Sequence, residues 1–488
     1  MKGCCFVLLL LQETTGSLLL PLKGGIAKLG EYYVTLNIGT PPQHVRLQAD
    51  TGSSSLIVTA KECTTCKRKS KEGGAYSSLN SSSMQKIGCG DDRCGSNTCA
   101  LNQCKSTYCF PGTNACCSAM DPKSCGFFLQ YGGDIDYDVE ASGLMMTETF
   151  SKGDHIFQDI TFYKTIHESG PWPSQVDGIL GLGFPRLNCN PTCTEPAYLQ
   201  MMNILGVEEK MFSMCMGDTT GWLELGSDGK ESNLYVGKPV YVPVTGLVTG
   251  GTYYSVGLNG IRVGKEILGA SISDSPYHAI VDSGTTLLLL QQSLWRGLVL
   301  YLQGRYCRLP GVCANDIKDT IFHPGVCLTK PPVDFPTITL TLVGGLSLEL
   351  PPTIYFIHYD DPELGRHIYC LGIQGAGDER TVIGDTVLRG FHVIYDLSRH
   401  RVGFANPNRT TCGKVELLSG DQDFINRAEL GFILGTSKSN RAIALSFGTI
   451  CGASALLALI LITVRASKAV RRVPLNNSVL QRGFGTFN

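Results

Sequence analysis

Two five-residue runs, Asp50-Thr51-Gly52-Ser53-Ser54 and Asp282-Ser283-Gly284-Thr285-Thr286, set a carboxylate, a hydroxyl, a glycine and a second hydroxyl in the same order. Breaking an amide by general acid-base catalysis needs one group to take a proton from water while another donates one. Two aspartates that meet supply both roles. Within hydrogen-bond reach they cannot both ionise cheaply, so one pKa falls, the other rises, and one proton is shared over a useful pH range. Glycine lets the backbone turn closely and brings its amide to the carboxylate without a side chain in the way. Thr51 and Ser283 are suited to tying the runs together by hydroxyl-to-backbone bonds, and Ser53 and Thr285 to donating to the outer carboxylate oxygens. One such run is a weak signal; two, placed alike in a repeated framework, are a strong one.

That framework is legible. Residues 31–39 alternate apolar and polar side chains, Pro41-Pro42 marks a turn, and residues 45–49 alternate again, which is a β-hairpin leading into Asp50. Residues 252–261 resemble the first stretch and are followed, after a similar interval, by Ile280-Val281-Asp282, so the chain carries a divergent internal duplication. Most other segments are short β-branched runs punctuated by glycine, such as residues 337–343 and 393–396, and the expected body is all-β. Helical periodicity is confined to residues 195–205 and 293–302, as accessory helices. The expected layout is a first lobe at 28–236, a second at 237–415 and a polar stem at 416–441.

The 488 residues, 43% of them hydrophobic, suffice for two packed lobes. Charges nearly cancel, 41 basic against 42 acidic, so nothing draws the chain toward nucleic acid. Lys2 followed by an apolar run at 4–11, with Gly16 and Ser17 after it, reads as a signal peptide over 1–17. Residues 442–464 carry no charge over about the length that crosses a bilayer. Arg465, Lys468, Arg471 and Arg472 follow, which predicts a single-pass type I protein with a cytosolic tail at 465–488. Cys4, Cys5 and Cys451 fall in the apolar segments, leaving an even number in the luminal part. Ten cysteines crowd between Cys63 and Cys125; the secretory context favours disulfides over a zinc ribbon, although Cys63-x-x-Cys66 is also metal-ligand spacing. Asn80 and Asn408 head glycosylation motifs, and the one at Asn476 lies beyond the expected span.

On the paired motifs, the chain resembles the pepsin-like aspartic protease family over about residues 30–412. The resemblance implies a bilobal all-β fold with active-site aspartates Asp50 and Asp282, no cofactor and no metal. Gly178-Ile179-Leu180-Gly181-Leu182-Gly183 and Val382-Ile383-Gly384-Asp385 match the elements that thread behind each active-site loop. Val387-Leu388-Arg389-Gly390-Phe391 and Val402-Gly403-Phe404-Ala405 match the closing strands. Leu129-Gln130-Tyr131-Gly132-Gly133 matches the flap, with Tyr131 as the flap tyrosine beside Gly132 and Gly133; a closing flap excludes water and holds the peptide extended. Where pepsin has a tryptophan bonding that tyrosine, Ile57 stands here, so the bond must be absent or replaced.

The cysteine block resembles the nepenthesin-type insert, and with the C-terminal span it points to the plasmepsin V-like, membrane-anchored branch. Plasmepsin V carries a cysteine and a glutamate after its flap tyrosine, so its arginine selectivity does not simply transfer to a chain with Gly132 and Gly133. Asp134, Asp136, Asp138 and Glu140 nevertheless crowd the flap, an acidic rim suited to a basic substrate side chain. The resemblance also pairs Cys327 with Cys370 and Cys215 with Cys412. Only about a dozen residues separate the signal from the first expected strand, too few for a long inhibitory prosegment. The expected activity is that of a monomeric endopeptidase processing protein or peptide substrates in the secretory pathway. Its rival is an inert pepsin-fold receptor or binding ectodomain, which would tolerate loss of either aspartate; both are present. Serine and metal hydrolase signatures are missing.

Overall fold

The computed structural model describes residues 16–66, 75–94, 118, 121, 123–131, 139–170, 176–188, 194–246, 253–269, 276–361, 366–377, 380–415 and 470–472. The expected signal core, most of the cysteine block, Gly132 and Gly133, the stem and the apolar stretch 442–464 lie outside them. Among the described residues no helix is long and apolar enough to cross a membrane.

Alternating side chains build the hairpin expected before Asp50. Strands Glu31–Ile38 and Gln43–Asp50 pair antiparallel with Leu36 opposite Val45, and Tyr32, Val34, Leu36, Val45 and Leu47 point into the core. The hairpin sits in a 14-stranded sheet. Its counterpart, Ser255–Val263, pairs antiparallel with Tyr277–Val281 in a separate eight-stranded sheet. The duplication is most plain just behind the two motifs. Gln43–Asp50 runs parallel to Gly178–Gly181, which pairs antiparallel with Leu56–Thr59. Tyr277–Val281 likewise runs parallel to Thr381–Ile383, which pairs antiparallel with Leu288–Leu290.

The expected helices form at Ala197–Ile204 and Gln292–Tyr306; the second buries Leu294, Leu298 and Leu302, one per turn, with Trp295 and Val299 packed against the same core. Three buried groups join the halves. Met211–Met216 pairs with His392–Asp396 inside the large sheet, Cys215 is disulfide-bonded to Cys412, and buried Arg389 bonds Asp218 at 2.5 Å while donating to the carbonyls of Thr353, Ile354 and Phe356. The second implied pair, Cys327 with Cys370, is also formed, and Cys63 with Cys66 is a disulfide, not half of a zinc site.

Two strands form outside the expected lobe bounds. Ahead of residue 28, Leu18–Gly25 is a strand paired with Thr220–Leu225 and with Glu31–Ile38. Leu18, Leu20 and Leu22 are buried on one face, each contributing roughly 1.5–3 kcal/mol of apolar burial. At the other end, Val470–Arg472, expected in a cytosolic tail, pairs antiparallel with Val326–Leu328 at the edge of a four-stranded sheet.

Candidate active site

Asp50 is the last residue of its strand and Asp282 follows Val281 directly, so the two parallel-paired strands deliver both carboxyls to the junction of the sheets. The loops are cross-bonded by their second residues. The Thr51 hydroxyl donates to the Val281 carbonyl (3.0 Å) and accepts from the Ser283 amide (3.0 Å). The Ser283 hydroxyl donates to the Ala49 carbonyl (2.8 Å) and accepts from the Thr51 amide (3.2 Å). All four bonds are buried, so neither loop can shift without stranding polar groups.

Each carboxylate is held from two sides in the same way. The Gly52 amide donates to Asp50 Oδ1 (2.8 Å) and the Ser53 hydroxyl to Asp50 Oδ2 (2.5 Å). The Gly284 amide donates to Asp282 Oδ1 (2.8 Å) and the Thr285 hydroxyl to Asp282 Oδ2 (2.6 Å). Glycine is required at both positions by close approach: a Cβ on Gly52 would stand 2.6 Å from Asp282 Oδ1, and one on Gly284 would meet Asp50 Oδ1 still closer. Each carboxyl therefore rests on the other loop's glycine.

Both aspartates are fully buried and in hydrogen-bond contact. Burial first, then the negative charge of Asp50, raise the Asp282 pKa well above the usual carboxylate range, while the Thr285 and Gly284 donors act against the rise. The pair therefore holds one proton where two free aspartates would hold none. Such a pair can activate a water and protonate a leaving group in one site.

Tyr131 ends strand Gly126–Tyr131, opposite Val139 in the strand Val139–Lys152. It packs with Ile57, Phe127, Met145, Tyr163 and Ile179, beside the Cys94–Cys125 disulfide. Burial followed by the charge of Asp50 pushes its pKa far up, with nearby Ser53 acting against the rise. Ile57 gives the tyrosine an apolar neighbour in place of a hydrogen-bond partner, and Ser53, which donates to Asp50, is near its hydroxyl. Gly132, Gly133, Asp134, Asp136 and Asp138 lie outside the described residues. Glu140 is described and accepts from Ser169 at 3.0 Å.

One residue was read only as part of a motif. Asp385 is fully buried, neither of its oxygens has a hydrogen-bond partner, and burial, then Asp282, Glu31 and Asp50, raise its pKa strongly. It is a third buried carboxyl near the pair, in surroundings that favour its protonated form. The signal was available: an acid inside the apolar run Val382-Ile383-Gly384-Asp385-Thr386-Val387-Leu388 must be neutral, paired or functional.

Known proteins agree with this geometry. The model of the eukaryotic aspartyl protease family matches residues 31–90 and 93–407. Aspartic proteinase 36 of Arabidopsis thaliana is 26% identical over 424 residues, covering 82% of this chain and 79% of the relative. Cathepsin D of Clupea harengus is 25% identical over 397 residues (77% and 81%), and human gastricsin 25% over 387 (77% and 81%). With paired loops, threading strands and a family match across most of its length, the chain belongs to the eukaryotic aspartyl protease family and is an aspartic endopeptidase.

Proposed function

We propose that the chain cuts peptide bonds in protein substrates of the secretory pathway, as a monomeric processing protease, by activating a water between Asp50 and Asp282. The ionised member of the pair takes a proton from water as its oxygen bonds to the scissile carbonyl carbon. The protonated member donates to the carbonyl oxygen, giving a tetrahedral diol. Collapse breaks the C–N bond as a carboxyl proton passes to the departing nitrogen. The pair titrates as a unit, so the proton belongs to both. Thr51, Gly52, Ser53, Ser283, Gly284 and Thr285 fix its geometry, and Tyr131 closes over it.

The observation that carries this reading is the matched pair of buried carboxyls, each held by a glycine amide and a hydroxyl, with one proton retained between them. A peptide library incubated with the full chain should acquire new termini with wild type and none with Asp50→Asn or Asp282→Asn, in a reaction indifferent to chelators. The same termini from all three proteins would leave the pair without a catalytic part and favour the binding-protein reading.

The branch assignment, the glycans on Asn80 and Asn408, and type I anchoring through 442–464 belong to the same proposal; the charge-free stretch and the basic cluster after it support the anchor. The pairing of Val470–Arg472 with Val326–Leu328 favours a second reading of the C-terminus, in which that end stays with the lobe. Resistance to carbonate extraction together with protease-sensitive residues 470–472 on the cytosolic face supports the anchor. Release by carbonate, with the tail protected, supports the alternative.

A further inference from the structure

His358, Asp360 and His367 share one face of the hairpin formed by Phe356–Asp361 and Arg366–Leu371. His358 and Asp360 are two residues apart on one strand, which sets them on the same side, and Asp360 is opposite His367 in the register. Asp360 Oδ1 is 2.7 Å from His367 Nδ1 and 4.0 Å from His358 Nε2, and the three potential ligand atoms all lie within 4.8 Å of one another. Zinc holds imidazole nitrogen at about 2.0–2.1 Å and carboxylate oxygen at about 2.0–2.2 Å, so donors around one ion stand roughly 3–4 Å apart. Small side-chain rotations bring these three to that spacing.

The surroundings suit a bound ion. The His358 ring stacks on Tyr369, its register partner, at 5.1 Å and 15°. The neighbouring Cys370 is disulfide-bonded to Cys327, so this end of the hairpin is braced from the next strand. Asp360 and His367 are largely exposed, which leaves an entry path. His358 and Asp360 also border a cavity of 610 Å³, with Lys28, Asp218, Thr353 and Arg389 among its other walls, which leaves room for water in the remaining coordination position. The hairpin belongs to a different sheet from the strands carrying Asp50 and Asp282.

We propose that His358, Asp360 and His367 bind one divalent zinc ion, a site separate from the peptide-cleaving pair. Two imidazoles and one carboxylate form a borderline donor set that suits zinc better than calcium or magnesium, which favour all-oxygen ligands. Three protein ligands leave a fourth position open. The ion would replace the His367–Asp360 hydrogen bond and clamp the two strands.

The test is calorimetric titration of zinc chloride into the full chain, stripped with chelator and desalted, at neutral pH. One saturable zinc per chain is expected. His358→Ala and His367→Ala should each weaken it at least about tenfold, the loss that removing even an outer partner of a metal ligand produces. His155→Ala, on another surface strand, should leave it unchanged. Zinc should also raise the melting temperature of wild type and not of His367→Ala, whose metal-free melt shows whether the variant is folded. Absence of saturable uptake, or uptake unaffected by both histidine changes, overturns the proposal. Peptide cleavage is expected to be the same with and without zinc, so failure here leaves the hydrolytic reading untouched.

Discussion

The carboxylate of Asp282 lies against the α-carbon of Gly52, close enough that a methyl group there would come within 2.6 Å of its Oδ1. Gly52→Ala is therefore expected to push the two loops apart while leaving the sheets folded. A displacement near 1 Å at reacting groups costs about 10²-fold in rate, so kcat/KM on a peptide substrate should fall at least that far. Circular dichroism should remain close to wild type. Wild-type kcat/KM in this variant would show that the loops tolerate separation.

Loss of a cross-loop hydroxyl should appear in stability. Thr51→Ala leaves the Val281 carbonyl and the Ser283 amide without their buried partner. Each stranded group costs about 1–3 kcal/mol, so the denaturation midpoint should drop clearly, whereas Thr51→Ser should recover most of it. Equal midpoints for Thr51→Ala and wild type would mean that water reaches the joint.

The raised Asp282 pKa fixes the sign of the pH dependence. A carboxyl whose folded-state pKa lies above its unfolded value, about 3.9 for aspartate, binds its proton more tightly when folded. Its favourable contribution is complete below the unfolded pKa and is lost as pH rises toward the folded one. Melting temperature should therefore decline as pH rises from about 4 toward neutral, less so in Asp282→Asn. The alkaline limb of kcat/KM should lie well above the range of a free aspartate, since it reports loss of the shared proton.

Asp385 provides an independent check. Its pKa is raised by burial and by three neighbouring acids, and neither oxygen has a partner. Replacement by Asn removes an acid whose charged form burial and its acidic neighbours disfavour. Asp385→Asn should accordingly gain melting temperature over wild type near neutral pH, with the gain shrinking to nothing below about pH 4. A gain of equal size at both pH values would point to packing instead of ionisation.

Removing the Tyr131 hydroxyl separates its two roles. Tyr131→Phe keeps the ring in its pocket with Ile57 and Phe127 but loses the hydroxyl near Ser53. A neutral hydrogen bond is worth about 0.5–1.5 kcal/mol, so kcat/KM should fall only a few-fold. Tyr131→Ala, which empties the pocket, should fall much further and melt lower.

The sequence was most informative where chemistry and periodicity coincided. The repeated Asp-hydroxyl-Gly-hydroxyl runs indicated both loops down to their donors, because so few residue types can serve a paired carboxylate. Leu18, Leu20 and Leu22 were overlooked for a physical reason: residues 18–22 are all apolar, show no polar alternation and lie six residues past the apolar run at 4–11, and hydrophobicity alone does not separate the margin of an exported leader from a buried strand. Asp385 was hidden differently. Its environment is made by Glu31, Asp282 and Asp50 arriving from distant parts of the chain, which no local spacing reports. The His358, Asp360 and His367 cluster likewise has no linear signature, since strand register brings it together.

The ladder between Met211–Met216 and His392–Asp396 has a consequence for biosynthesis. A nascent chain entering the secretory pathway can complete its first lobe long before residues 392–396 leave the ribosome. Until then Met211–Met216 is a sheet edge without its outer neighbour, and exposed edges recruit foreign strands. Protein truncated upstream of residue 392 should therefore need chaperone capture to stay dispersed, however complete its first lobe.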